Sequence, residues 1–211
     1  SVWLFSFFMV YSSANEAEAN FWGRCVYLGV VYIPAVFYHF SCSVLQHRMP
    51  NKLIASNYFI STAFLLLIPT PYLLNGDYTY FWGHYPKAGF LHPLFLMYFG
   101  LVGGLALFRI YQGHLAAQPG HVAVAARLRA LFWAFAAGYL SSLDFAQAYG
   151  HEVYPVGCVL ASICVLIVTR TIIHWRSMES ALMPPAPRTL LYLQTLGLIP
   201  VYVAVLLLIR L

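Results

Sequence analysis

Long apolar runs, separated by short polar breaks, decide what this chain can fold into. Each run approaches the 20 or so residues that a helix needs to cross a bilayer core. Seven can be marked: 1–14, which is short, then 21–45, 53–73, 90–112, 126–148, 153–174 and 189–210. Charge confirms the reading. Only 8% of the 211 residues are charged, against about 25% in a soluble domain. Such a chain cannot cover a water-facing surface, which excludes a soluble enzyme, a disordered linker and a nucleic-acid-binding domain. The expected fold is all-α, a polytopic transmembrane helix bundle of about seven spans.

The breaks carry the topology. Arg48 and Lys52, then Arg109, Arg127 and Arg129, then Arg170, Arg176 and Arg188 fall at alternate breaks and make up eight of the eleven Lys and Arg. The other breaks hold Glu16, Glu18, Asp77, Lys87 and Glu152 and are mostly acidic. Positive breaks stay in the cytoplasm. This predicts a multi-pass protein of the bacterial inner membrane with Ser1 cytoplasmic and Leu211 outside. Residues 1–178 form the bundle, 179–188 a proline-rich cytoplasmic linker (Pro184, Pro185, Pro187), and 189–211 an added helix. Pro34 and Pro69 lie inside spans and are expected to kink them. Cys25, Cys42, Cys158 and Cys164 sit in apolar runs and read as small buried hydrophobes.

Ionisable groups inside a membrane are costly and mark candidate sites. Arg24 and Asp144 come out at a similar depth, near the outer ends of the second and fifth spans. They are expected to pair, or to face one water-filled pocket, or to act as a structural staple without a ligand. His39 and His92 are the two embedded histidines, at opposite depths. They would serve as two separate haem or pigment ligands or, in the stronger reading, as histidines hydrogen-bonded inside the bundle. No cofactor and no metal is called for. The outer loop carries Tyr78, Tyr80, Phe81, Trp82 and Tyr85 within eight residues. It reads as an aromatic belt at headgroup depth, or as a lid over a ligand pocket or a docking surface for a partner. Gly100 and Gly104 form a G-x-x-x-G that permits close helix approach, either as a small-residue face packed inside the bundle or as a dimer seam. No nucleophile elbow, zinc-protease motif or phosphate loop is present.

The stretch Ala19-Asn-Phe-Trp22-Gly-Arg24-Cys-Val-Tyr27-Leu-Gly29-Val-Val-Tyr-Ile-Pro34-Ala-Val-Phe37-Tyr-His-Phe40 resembles the third helix of the N-terminal seven-transmembrane sensor region of bacterial membrane histidine kinases. The loop Tyr80-Phe-Trp-Gly-His-Tyr-Pro-Lys-Ala-Gly89, followed by Pro93 and Leu94, is similar to that region's outer loop. The resemblance covers roughly residues 1–178. It implies a bundle that senses something at or outside the membrane, with Arg24, Tyr27 and Pro34 as bundle determinants. The family's first helix has no counterpart, so span one would match its second. This sequence also contains no H-box helix and no nucleotide-binding domain, and an apolar stretch, Thr189–Arg210, stands where the family's output domains begin.

Three functions follow as expectations. The first is the sensor part of a signalling (two-component) protein, not itself an enzyme, acting on a cytoplasmic output domain. The second is a sensor-like bundle reused as a non-catalytic accessory subunit of a larger membrane complex, respiratory or photosynthetic. The third, a small transporter or channel, is weakened by the scarcity of intramembrane polar residues and by the lack of inverted repeats. Expected partners are membrane lipids, other membrane subunits or an output domain, and no nucleic acid.

Overall fold

A computed structural model describes residues 2–45, 51–117 and 122–179, most of them helical. In chain order the elements are helices α1 (Val2–Ser12), α2 (Glu16–Val30), α3 (Ile33–Val44) and α4 (Asn51–Leu67), strands β1 (Leu74–Tyr80) and β2 (Gly83–Ala88), helices α5 (His92–Ala117) and α6 (Val122–Leu140), a 3₁₀ segment (Ser141–Tyr149), and helix α7 (Gly157–Glu179). Two compact units result, residues 1–168 and 169–211. The second unit is described only for the end of α7. Arg48, the linker from 180 onward and the apolar stretch 189–211 lie outside the described residues.

Three described segments are long and apolar enough to cross a membrane: Glu16–Val44, His92–Ala117 and Val122–Tyr149. Seven were expected. The remaining apolar helices, Trp3–Ser12, Lys52–Leu67 and Gly157–Ile173, are shorter. At 1.5 Å per residue, sixteen residues reach only about 24 Å, short of the roughly 30 Å hydrocarbon core.

The helix boundaries have local causes. Asn15 caps α2 by accepting the Glu18 N–H at 2.9 Å, and Glu16 and Glu18 place negative charge on its first turn, where the helix dipole favours it. The break at Val31–Tyr32 precedes Pro34, which sits in the first turn of α3, where its missing N–H costs nothing. Pro34 therefore starts a helix rather than kinking one. Pro69 follows the end of α4 at Leu67. A proline disfavours helical backbone in the residue before it, so here it terminates the helix.

The all-α expectation fails at one place. The aromatic outer loop is an antiparallel β-hairpin, with Tyr78 opposite Tyr85, Tyr80 opposite Gly83, and Phe81-Trp82 as the turn. The register shifts between Leu74 and Asp77, where Gly76 takes φ 82°, a value that favours glycine. The hairpin lies on α1, α2 and the 3₁₀ segment. Its approach to α2 is close at Gly23, where an added Cβ would stand 2.8 Å from Pro86 Cγ.

At the other end of the bundle Phe37, Tyr38 and Cys42 of α3 pack with Ala106 and Ile110 of α5 and Leu128 and Leu131 of α6. Phe37 stacks on Phe135 with ring centroids 4.3 Å apart. The close approach of α5 and α6 is made by Gly103, whose Cβ position is occupied by the Tyr139 ring. Gly100 and Gly104 make no such approach within the described bundle. Gly100 has only the Tyr139 hydroxyl at 3.6 Å from its Cβ position, and Gly104 has nothing within 4 Å. A G-x-x-x-G points to one helix face, and here the neighbouring helix lies against the adjacent glycine.

Candidate functional site at the hairpin end

The site is built on the first residue of α5. His92 N–H bonds Gly89 O at 3.1 Å, Gly89 N–H bonds Leu73 O at 2.9 Å, and Leu91 N–H bonds Tyr72 O at 2.8 Å. These bonds tie the start of α5 to the foot of the hairpin. They fix the His92 side chain inward, with 0% of the residue exposed.

Both ring nitrogens of His92 have partners. Nε2 lies 2.7 Å from the Tyr27 hydroxyl of α2. Nδ1 lies 2.7 Å from the Tyr149 hydroxyl at the end of the 3₁₀ segment. A neutral imidazole carries one donor and one acceptor nitrogen, so one tyrosine donates its O–H to the ring and the other accepts the ring N–H. Phe95 and Phe145 pack against the imidazole at 5.9 and 5.7 Å between centroids. A buried polar group is stable only when bonded, and this histidine joins α2, α5 and the 3₁₀ segment on that condition.

The hairpin covers the cluster. The Tyr80 hydroxyl donates to Gln147 O at 2.6 Å. Trp82 stacks on Tyr80 at 5.0 Å and meets Tyr11 of α1 edge-on at 5.6 Å. Tyr85 is buried and touches Phe7 of α1 at 6.0 Å. Burial pushes the Tyr85 phenol well above its usual range. Tyr78 receives Lys87 over its ring at 5.3 Å. Four of the five aromatics singled out in the sequence thus pack within the fold, while Phe81 at the turn is 79% exposed. On the strands His84 Nδ1 and Asp77 Oδ2 stand 3.1 Å apart. Burial raises the Asp77 carboxyl above its usual range, and the neighbouring His84 pulls it partly back.

Asp144 and Arg24 do not meet. Arg24 donates from Nε to Asn20 Oδ1 at 2.9 Å and from Nη1 to Pro69 O. It therefore ties α2 to the carbonyl that follows α4. Asp144 is 8% exposed and accepts the Gly157 N–H on Oδ2 at 2.8 Å. Among the described residues the one ion pair is His84 with Asp77. Sequence position gives a residue's depth in a bundle but not its direction around the helix axis, and Arg24 and Asp144 share only the former.

Beside Asp144 lies a cavity of about 40 Å³, walled by Phe7, Tyr27, Tyr85, Phe99 and Phe145, with Trp3 at its edge. Arg24 does not line it. Four buried polar atoms near this end lack a hydrogen-bond partner among the described residues: the indole nitrogens of Trp3 and Trp82, the Tyr11 hydroxyl and Gln147 Oε1.

The two histidines are placed differently. His92 has no ring nitrogen left for a haem or pigment unless a tyrosine bond is broken. His39 is exposed on α3, with Nδ1 3.2 Å from the Tyr58 hydroxyl. Among the described residues no three His, Cys, Asp or Glu side chains converge as a metal site. The sequence picked out His92, Tyr27 and Asp144 but not their arrangement. Tyr149, read as part of a polar break, gave no signal of its role, since its partner lies 57 residues away.

No family model, no curated protein and no solved structure matches the chain.

Proposed function

We propose that this chain is a membrane-embedded sensor module without catalytic activity of its own. The observation that supports it best is His92, buried and bonded to Tyr27 and Tyr149 directly beneath the hairpin. A displacement of the hairpin or the 3₁₀ segment would reach α2 and α5 through that side chain as well as by direct packing and backbone bonds. Its bonds are directional, so it has distinct made and broken states. The resemblance of residues 19–40 and 80–94 to the sensor region of bacterial membrane histidine kinases gives the same function. In this reading the shorter apolar helices and the stretch 189–210 complete about seven spans. The hairpin lies outside the bacterial inner membrane, Ser1 is cytoplasmic, and the inner ends of the helices act on an output domain.

The test is amide hydrogen exchange on the full chain in lipid nanodiscs, comparing the native protein with His92→Gln. The sensor reading expects faster exchange at the hairpin and also, by severalfold, at the far ends of α3 and α5 (Ser41–Val44 and Tyr111–Ala117). A change confined to the hairpin end would reduce His92 to a local staple and remove the reading.

The accessory-subunit reading draws on a different observation. Phe81 at the hairpin turn and Phe90 just before α5 are 79% and 87% exposed, and exposed aromatics of this kind suit a protein contact. Purification at fixed stoichiometry with other membrane subunits, lost in a Phe81→Ser, Phe90→Ser double variant, would favour that reading.

A further inference from the structure

The cavity beside Asp144 combines two features that are unfavourable apart and complementary together. The first is the carboxylate. Asp144 is 8% exposed, and among the described residues no Lys, Arg or His nitrogen lies within 4 Å of it. It sits at the N-terminus of α7, bonded by the Gly157 N–H on Oδ2 and by the Val156 N–H, so the helix end supplies partial positive charge but no formal counter-charge. A buried charge without a partner is costly, and more so within an apolar bundle. The second is the wall. Tyr27, Phe99 and Phe145 line the same space, and aromatic faces attract cations through their quadrupoles. Carboxylate and rings around one small void make the chemistry that receives a positively charged head.

Size narrows the class. The void measures about 40 Å³, and one water needs roughly 10–15 Å³ by this kind of measure. A head of two to four non-hydrogen atoms fits, and a bulky amine does not. We infer that this cavity binds the head of a small organic ammonium ion, held between the Asp144 carboxylate and the ring faces of Tyr27, Phe99 and Phe145. The inference rests on the sensor reading and names the class of ligand that the hairpin end would receive.

The test uses the full chain in lipid nanodiscs, titrated with methylammonium chloride, with sodium chloride and methanol as matched controls. Trp3 borders the cavity and its indole N–H has no partner among the described residues, so its ¹⁵N–¹H resonance is the reporter. Methylammonium is expected to shift that resonance saturably, and sodium and methanol are not. Asp144→Asn, whose amide oxygen can still accept the Gly157 N–H, is expected to weaken binding at least tenfold. Val30→Leu adds a methylene to a cavity-lining residue and leaves the carboxylate in place; it is expected to weaken binding comparably. The absence of a saturable shift in the native protein, an equal shift with sodium, or undiminished binding by Asp144→Asn would each overturn the inference. If titration fails while His92→Gln still alters exchange at the far helix ends, the ligand class is lost and the sensor reading stands. If methylammonium binds while that exchange response is missing, the site stands and the sensor reading falls.

Discussion

The two ends of the bundle are held by different physics. At the far end Phe37, Ile110 and Leu131 meet through shape and dispersion, with Arg109 over the Tyr38 ring at 5.1 Å and His114 Nδ1 bonded to Ala125 O at 2.9 Å beside them. Any well-fitting set of apolar side chains would serve there. At the hairpin end His92, Tyr27 and Asp144 are buried polar groups whose stability depends on particular partners, and Tyr149, itself exposed, holds His92 from the rim. Such groups specify one arrangement and are expensive when it is disturbed. The difference teaches where to look for function in an apolar bundle. Apolar packing dominates the far end, with its polar contacts only part-buried, whereas the hairpin end buries polar side chains whose bonds can be made or broken.

That contrast can be broken by substitution. The largest effect is expected for Phe37→Ala, which removes a buried ring from the far end and should cost about 3–4 kcal/mol in unfolding from lipid. The ring-nitrogen resonances of His92 should not move. Next is His92→Leu, which keeps the bulk but leaves the buried Tyr27 hydroxyl unbonded while the exposed Tyr149 turns to solvent, at about 2 kcal/mol. If it costs no more than a few tenths, the hairpin end is held by packing too and the contrast fails. Gly23→Ala should cost about 1–2 kcal/mol by overpacking against Pro86, and should raise the exposure of Trp82 to acrylamide as the hairpin lifts. The smallest effect sharpens the electrostatics. A double-mutant cycle of Arg24→Gln with Asp144→Asn should show a coupling below about 0.5 kcal/mol, and a larger value would restore the pair expected from depth.

The helices were legible in the sequence because lipid imposes a simple requirement of continuous apolar length. Six of the seven marked runs overlap described helices, although 21–45 is two helices, 126–148 ends in the 3₁₀ segment and 53–73 overshoots α4 by six residues, and only three segments are long enough to cross alone. The hairpin was not read as strands, although its signals were present in the alternation Tyr78, Tyr80 and in Gly76 and Gly83. Composition was dominated by aromatics, which suit a belt as well as a strand. Within the candidate site the unusual residues could be named from type alone, since a histidine or aspartate inside an apolar run is conspicuous. Their partners could not. Tyr27 and Tyr149 lie 65 and 57 residues from His92, and rotation about each helix axis, which decides who faces whom, leaves no mark in depth. The same missing angle led to Arg24 with Asp144, and leaves open which of Gly100, Gly103 and Gly104 meets α6.

The most direct measurement is ¹⁵N spectroscopy of the His92 imidazole in the lipid-embedded full chain, with Tyr27→Phe and Tyr149→Phe compared one at a time. The arrangement described predicts that Tyr27→Phe moves chiefly the Nε2 resonance and Tyr149→Phe chiefly Nδ1. If neither substitution moves a ring nitrogen, His92 does not join the two tyrosines, and the account of the hairpin end is wrong.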